Sequence, residues 1–451
     1  MSLRDRLQAN QIGPNGVVML RPDGARSEAN YQTLKISLHQ KLLDSVDLSI
    51  MESLPPNRLK EEIATLVERL LAEEATVMND AERRSLILDI QHEMLGLGPL
   101  EPLLADAAVS DILVNGHAQV YVERRGKLEL TDVRFRDDAH LMKIIDKIVA
   151  RVGRRVDESS PMVDARLPDG SRVNAIIPPI ALDGAVVSIR RFAAIPLKME
   201  DLLRNKSLTP EIATLLQGLA HAKVNILVSG GTGTGKTTLL NILSANIPAY
   251  ERIVTIEDAA ELQLQQPHVV RLETRPPNIE GKGEITQRAL VKNALRMRPD
   301  RIILGEVRGA EAVDMLQAMN TGHDGSLATI HANTPRDALS RLENMISMAG
   351  LNLPTKAARQ QISSAITAVV QIARLSDGMR KVISLQEITG MEGDVITMQE
   401  IFAFRQTGVG ADGAVQGHFM ASGVRPKFVD RLRSFGVTVS DLLFDPTRQY
   451  A

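Results

Sequence analysis

Residues 229–238 contain the residue types and the spacing that phosphate binding requires. Their pattern is Gly230-x-x-x-x-Gly235-Lys236-Thr237. Glycines allow backbone geometry that a β-carbon would block, so successive N–H groups can converge on phosphate oxygens. Lys236 would neutralise the β- and γ-phosphates of ATP, and the Thr237 hydroxyl would bind Mg²⁺. The predicted nucleotide-binding residues are Gly230, Gly231, Thr232, Gly233, Thr234, Gly235, Lys236, Thr237 and Thr238.

Residues on either side of this loop predict the elements that position it. Residues 224–228 form a short apolar run rich in β-branched side chains, which is typical of a buried parallel strand. Residues 239–243 begin a helical pattern. A strand, a glycine-rich loop and a helix in this order favour a phosphate-binding loop over a glycine-rich turn that matches by accident.

Catalysis at such a loop needs acidic groups for a metal ion and for a water molecule. Glu257, Asp258 and Glu261 follow a predicted strand at 253–256, and carboxylates that follow parallel strands emerge at the ligand-binding edge of the sheet. The alternative is that Glu257 and Asp258 cap a helix.

A second strand, at 302–304, delivers a carboxylate and a guanidinium to the same edge. In an ordinary Walker B strand an Asp holds the metal. Here Gly305 occupies that place, Glu306 follows, and Arg308 comes two residues later. The alternative is that Glu306 and Arg308 form a surface ion pair.

A third strand, at 326–330, ends in His331, which could bond the γ-phosphate. The alternative is a core histidine with its hydrogen bonds satisfied. Because all three segments follow one phosphate-binding loop and each ends a predicted strand, the catalytic interpretation is favoured for the set. The predicted metal ligands are Thr237, Glu257 and Glu306.

Composition limits the classes of function. The 451 residues are 44% hydrophobic and 24% charged, as in soluble globular proteins, and this length allows about three domains. A net charge of −2 and 3% aromatic residues count against nucleic-acid binding. The lack of Cys excludes disulfides, thiolate zinc sites and cysteine catalysis. With no signal segment and no apolar run of ~18 residues, the protein is expected in the cytoplasm, reaching membranes only through partners.

The pattern along the chain predicts a helical bundle, then a small α+β domain, then an α/β domain. Between 203 and about 375, alternating strands and helices predict a mainly parallel sheet covered on both faces, as in a RecA-like P-loop ATPase core. After about residue 382 the pattern changes to short strands. The predicted boundaries are a disordered tail at 1–30, a three-helix bundle at 31–104, a PAS-like α+β domain at 105–195, a hinge at 196–202 and the ATPase domain with a C-terminal extension at 203–451.

These motifs resemble the secretion ATPase superfamily of type II and type IV secretion and type IV pilus assembly. That family names the four matching elements Walker A, Asp box, Walker B and His box; they lie here at 230–238, 253–264, 304–308 and 322–333. Over about residues 31–451 the chain is most similar to the CpaF/TadA branch, the motors of tight-adherence (Flp) pili. Residues 97–100, 169–174 and 419–428 carry that closer similarity. The type II secretion members carry a tetracysteine zinc module, which is absent here.

The resemblance implies a homohexamer on the cytoplasmic face of the inner membrane, docked on a polytopic platform protein. It also implies that the α+β domain closes over the nucleotide and lends arginines, matched here by Arg172 and Arg190. Arg191 is a weaker match. The hinge near 193–203 would convert nucleotide state into domain rotation.

The resulting hypothesis is an ATP-hydrolysing motor in which Glu306 polarises the attacking water and His331 senses the γ-phosphate. Glu257, Asp258 and Glu261 would order the water shell of the metal. The predicted catalytic residues are Glu306, Glu257, Asp258, Glu261, His331, Arg308, Arg172 and Arg190. The alternatives are a ring ATPase that translocates nucleic acid and a nucleotide-gated scaffold with little turnover.

Overall fold

Three helices open the part of the chain that the structure describes. The structure is a computed structural model, and it describes residues 24–45, 55–74, 78–124, 126–192, 197–277, 281–350 and 353–450. Helices α1 (Gly24–Ser45), α2 (Pro56–Glu73) and α3 (Asp80–Leu95) pack through buried aliphatic side chains that include Leu42, Val67 and Ile90. Asn79 and Glu82 form a capping box that fixes the start of α3.

The predicted disordered tail is wrong over residues 24–30, which form the first turns of α1. Ala25, Glu28 and Ala29 have high helix propensity, so the helix extends toward the N-terminus before its apolar periodicity begins. The rest of the predicted tail, and residues 193–196 of the predicted hinge region, lie outside the described residues.

A six-stranded antiparallel sheet follows the helices. Its order is β3-β2-β1-β6-β5-β4, and helix α5 covers it through buried residues such as Leu141, Ile145 and Ile148. The elements are α4 (Glu101–Ala105), β1 (Val109–Asn115), β2 (Gln119–Arg124), β3 (Lys127–Leu130), α5 (Asp138–Arg151), β4 (Met162–Arg166), β5 (Arg172–Ile176) and β6 (Val186–Arg190). Strand β4 is an edge strand in which only Val163 is buried, so its sequence lacks the alternation of apolar and polar residues that predicts a strand.

The motifs predicted to bind ATP lie on a ten-stranded sheet of order β16-β15-β14-β13-β12-β7-β11-β10-β8-β9. Strands β7 to β12 pair in parallel, and β13 to β16 extend the sheet antiparallel. The strands are β7 (Ile226–Gly230), β8 (Ile253–Glu257), β9 (Val269–Glu273), β10 (Arg301–Val307), β11 (Leu327–His331), β12 (Ala368–Arg374), β13 (Arg380–Glu392), β14 (Val395–Val409), β15 (Val415–Ala421) and β16 (Gln449–Tyr450).

Helices cover both faces of this sheet. One buried core lies under α7, α8 and α13, and the other lies under the helices α9 to α12. The α/β class predicted from the alternation of strands and helices is therefore confirmed. The helices are α6 (Met199–Arg204), α7 (Pro210–His221), α8 (Lys236–Ser244), α9 (Gln287–Ala294), α10 (Glu311–Asn320), α11 (Pro335–Met348), α12 (Thr355–Ala365) and α13 (Phe428–Ser434).

The C-terminal strands are longer than the sequence pattern predicts. Strands β13 and β14 contain 13 and 15 residues, and their pairing is interrupted by register shifts near Gln386 and Gly390. Each shift breaks the alternation of apolar and polar residues, so one long strand resembles two short ones in sequence.

Contacts divide the described chain into two compact units. The first extends to Arg191 apart from residues 125–127, and the second begins at Phe192. The finer boundaries predicted at 104/105 and 195/203 stay predictions. No helix within the described ranges is long and apolar enough to cross a membrane.

Candidate active site

The phosphate-binding loop follows a strand that is buried along its whole length. Strand β7 ends at Gly230, where a β-carbon would lie 2.5 Å from the carbonyl oxygen of Ile372, so only glycine fits against β12. Gly233 and Gly235 have φ values of +68° and +98°, in the left-handed region that favours glycine. Gly235 is also the N-cap of α8, so the loop amides meet the positive end of that helix.

Lys236 at the first turn of α8 lies against the loop itself. Its ammonium donates to the carbonyl oxygens of Gly230 at 3.0 Å and Gly231 at 2.8 Å. Thr237 and Thr238 follow on the same turn and are half-buried. A cation held by neutral carbonyl groups can exchange them for phosphate oxygens, which form stronger charge-assisted bonds.

Glu257 ends β8 as a buried carboxyl group that is 3% exposed. One oxygen, Oε2, accepts the backbone N–H groups of Glu261 at 2.7 Å and Leu262 at 3.0 Å. The other oxygen, Oε1, is buried and has no hydrogen-bond partner within the described residues. Burial raises the pKa of Glu257 to about 7, although the two backbone N–H groups act in the opposite direction.

The structure explains the glycine at the usual Walker B position. A β-carbon on Gly305 would lie 2.8 Å from Cγ of Glu257, so the side chain from β8 occupies the space beside the neighbouring strand β10. An aspartate at position 305 and Glu257 would compete for the same volume. The carboxyl group present at this place therefore belongs to the adjacent strand.

The segment after β8 is attached to the helix that follows the loop. The Gln263 N–H donates to Asn241 Oδ1 at 3.0 Å, and Asn241 lies one turn beyond Thr237 on α8. The backbone that holds Glu257 and Glu261 is thus tied to the helix that carries the predicted metal ligand Thr237.

Arg308 joins two of the predicted acidic residues. It donates to Glu306 Oε2 from Nε at 2.8 Å and from Nη2 at 2.5 Å, and to Asp258 Oδ2 at 3.1 Å. The ion pair foreseen as the alternative is present. It leaves Glu306 Oε1 without a hydrogen bond within the described residues, and Glu306 is only partly exposed.

His331 ends β11 in register with Gly230, the last residue of β7. It is half-buried, which differs from a core histidine. On the same strand, Thr329 Oγ1 donates to the Gly305 carbonyl at 2.6 Å and so fixes the strand that carries Glu306.

Gln371 is a residue of this edge that sequence reasoning missed. It is 1% exposed on β12, and its amide donates to the carbonyl oxygens of Ala332 at 3.2 Å and Asn333 at 3.1 Å. It therefore holds the backbone that follows His331. A polar residue inside the buried apolar run 368–373 is the sequence signal that marks it.

The predicted arginines lie in the first unit. Arg172 and Arg190 are directly opposite each other on β5 and β6, and Arg166 on β4 lies opposite Arg172. Residues directly opposite in an antiparallel pair share a face, so three guanidinium-bearing residues form one row. Arg190 Nε lies 3.3 Å from Asp111 Oδ1, and the Arg190 side chain is 58% exposed.

The residues present fit a nucleotide with a magnesium ion. Within the described ranges, no three His, Cys, Asp or Glu side chains form a preformed metal cluster. Mg²⁺ with a nucleotide is commonly held by one or two protein groups, by phosphates and by water. Thr237 and the unsatisfied Oε1 of Glu257 suit that mode of binding. A glycine-rich loop at a helix N-terminus and strand-end carboxylates on a parallel sheet define a P-loop ATPase.

Comparison with known proteins identifies the family. The profile described as Type II/IV secretion system protein matches residues 93–417. A Mycobacterium tuberculosis H37Rv protein, provisionally named a conjugal transfer protein, is 37% identical over 325 residues, covering 71% of this chain and 92% of its own. The type IV secretion system protein VirB11 of Brucella suis biovar 1 is 30% identical over 316 residues, which cover 64% of this chain and 88% of that protein.

Solved structures of similar chains include the Brucella suis VirB11 ATPase with sulphate, at a TM-score of 0.35 and 30% identity, covering 64% of this chain and 92% of that one. The structure of the pilus retraction motor PilT with bound ADP has a TM-score of 0.46 and 19% sequence identity. The match covers 74% of this chain and 85% of that one. The chain belongs to the type II/IV secretion system protein family on the strength of the profile match. It is an ATPase of this secretion family, and it uses a nucleotide.

Proposed function

We propose that this ATPase powers assembly of a tight-adherence type IV pilus, working as a homohexamer on the cytoplasmic face of the inner membrane. The observation that carries the catalytic part is the convergence of Glu257, Glu306 and His331 with the P-loop at one edge of a parallel sheet. The pilus branch is supported by the sequence similarity of residues 97–100, 169–174 and 419–428.

In the proposed mechanism, the loop amides and Lys236 bind the phosphates, and Thr237 and Glu257 would hold Mg²⁺. Mg²⁺ supplies charge neutralisation at the β- and γ-phosphates. Arg308 holds Oε2 of Glu306, which orients the free Oε1 toward the attacking water. Asp258 shares Arg308 and keeps that guanidinium in place.

The remaining predicted residues complete the site in this mechanism. Glu261 orders the water shell of the metal through the segment that ties β8 to α8. His331 bonds the γ-phosphate and reports its loss. Arg172 and Arg190 neutralise charge in the transition state, either from the same chain or from a neighbour in the ring.

The catalytic assignment is tested with two variants of the full chain. Lys236→Ala should lose tight ATP binding and turnover. Glu306→Gln keeps the shape, so it should bind ATP but hydrolyse it at least ~100-fold more slowly, the usual weight of general-base catalysis. Phosphate release and ATP titration measure the two effects. If Glu306→Gln keeps its activity while Glu261→Gln loses it, the water-activating role belongs to Glu261.

The biological assignment is tested in cells that lack the chain and carry either variant. Absence of surface filaments, with restoration by the unmodified chain, supports the pilus motor. Filaments that form normally without the chain contradict it. Salt-sensitive DNA binding by the purified protein would instead favour a nucleic-acid translocase.

A further inference from the structure

Arg380 lies beside the P-loop although it belongs to the antiparallel extension of the sheet. Its Nε donates to the carbonyl oxygen of Gly233 at 2.8 Å. Its Cδ lies 3.5 Å from the position that a β-carbon on Gly235 would occupy. The guanidinium is exposed, and Nη1 and Nη2 make no hydrogen bond within the described residues, so these donors can bind a ligand.

The topology of the sheet places Arg380 there. Strand β12 is parallel to β7 with Ile372 in register with Gly230, so both strands end at the same edge. Strand β13 returns antiparallel to β12, with Arg380 opposite Arg374. The first residue of β13 is therefore at the edge where the P-loop lies.

Arg380 is on the opposite flank of β7 from the catalytic groups. Glu257, Glu306 and His331 belong to β8, β10 and β11, which lie on one side of β7, whereas β12 and β13 lie on the other. The γ-phosphate must face the carboxylates and His331. The nucleoside end of a triphosphate bound along the loop then extends toward β12 and β13.

The geometry points to Arg380 as a specificity-determining residue that contacts the nucleoside of ATP, a role that rests on the proposed P-loop assignment. A planar guanidinium stacks on a purine face and donates to ring nitrogens or ribose hydroxyls. The bond from Nε to Gly233 fixes the side chain without using the two terminal nitrogens. Binding energy would thus come from the extension, not only from the P-loop.

The test compares a ligand that has a nucleoside with one that lacks it. ADP and inorganic pyrophosphate, each with Mg²⁺, are titrated into the full-length protein and its Arg380→Ala variant, with pyrophosphate measured by competition against fluorescent ADP. We expect roughly 10-fold weaker ADP binding, the scale of one base-stacking contact, and less than a twofold change for pyrophosphate. Arg380→Lys should resemble Arg380→Ala, because lysine keeps the positive charge but has no planar guanidinium group to stack on a base.

Two results would overturn the inference. Unchanged ADP affinity would show that Arg380 does not touch the nucleoside, and equal weakening for both ligands would show that it only shapes the loop through Gly233. Arg405→Ala removes an exposed guanidinium from β14 and is the matched control. If Lys236→Ala binds neither ADP nor pyrophosphate, the P-loop assignment is confirmed independently of Arg380. If the unmodified protein binds no ADP, the proposed function itself fails.

Discussion

At the scale of the residue, Glu257 shows how a buried carboxyl group, here a proposed catalytic one, can destabilise the protein that carries it. Burial raises its pKa to about 7, from an ordinary value of 4.5. Between these values the folded chain binds a proton that the unfolded chain does not. The stabilising contribution is therefore complete below about pH 4.5 and is lost as the pH rises through about 7.

We therefore expect Glu257→Gln, which imitates the protonated group at every pH, to match the original chain near pH 4 and to exceed it at pH 8. The expected gain at pH 8 is about 1–3 kcal/mol in the free energy of unfolding without nucleotide. Urea unfolding at both pH values measures it. Glu392→Gln removes an exposed carboxyl group and serves as the control. A gain that does not change with pH would contradict the buried-carboxylate explanation.

At the scale of the element, Arg301 connects three segments of the ATPase sheet. It is 0% exposed at the start of β10 and pairs with the buried Glu251, with Nε–Oε2 at 2.6 Å and Nη2–Oε1 at 3.1 Å. It also donates to the carbonyl oxygens of Ala220 at the end of α7 and Gly325 before β11. One guanidinium thus fixes the ends of two strands and a helix.

Removing one partner should leave a buried charge without compensation. We expect Glu251→Gln to lower the free energy of unfolding by about 3–5 kcal/mol. Lys356→Ala breaks an exposed pair with Asp394 and should cost less than about 1 kcal/mol. Urea unfolding of the two variants and of the original chain measures both losses. Equal, small losses would show that Arg301 is held by the carbonyl groups alone.

Local patterns predict the elements of the site better than the contacts between them. The P-loop, its strand and the strand ends at Glu257, Glu306 and His331 follow from the sequence because each depends on adjacent residues. The reason for Gly305 does not, since it depends on Glu257 from another strand. Arg380 likewise approaches the loop only once β12 and β13 have paired, and nothing near it in sequence signals that contact.

At the scale of the whole molecule, the arginine row belongs to the first unit, whereas the P-loop belongs to the second. Arg166, Arg172 and Arg190 lie on one face of adjacent strands, and Asp111 on β1 lies opposite Arg190 in the same row. The row therefore keeps a net positive charge, which would attract an anion. This supports the proposed role toward the phosphates.

We expect Arg190→Ala to lower ATP turnover by about 10³-fold while nucleotide affinity and oligomeric state change little. Turnover and size-exclusion chromatography measure these properties. Unchanged turnover would contradict the role. Mixing this variant with Lys236→Ala distinguishes the two geometries, because activity returns only if a subunit receives its arginine from a neighbour.

The position of β12 has a mechanical consequence for a motor. This strand joins the P-loop strand to the long antiparallel extension, with five residues from Ala368 to Ile372 in register with Ile226 to Gly230. Force along the extension loads these backbone hydrogen bonds in shear, so they resist together, because they run across the strands rather than along them. A load carried along the extension would therefore reach the proposed phosphate-binding loop through backbone hydrogen bonds, without passing through a flexible side chain.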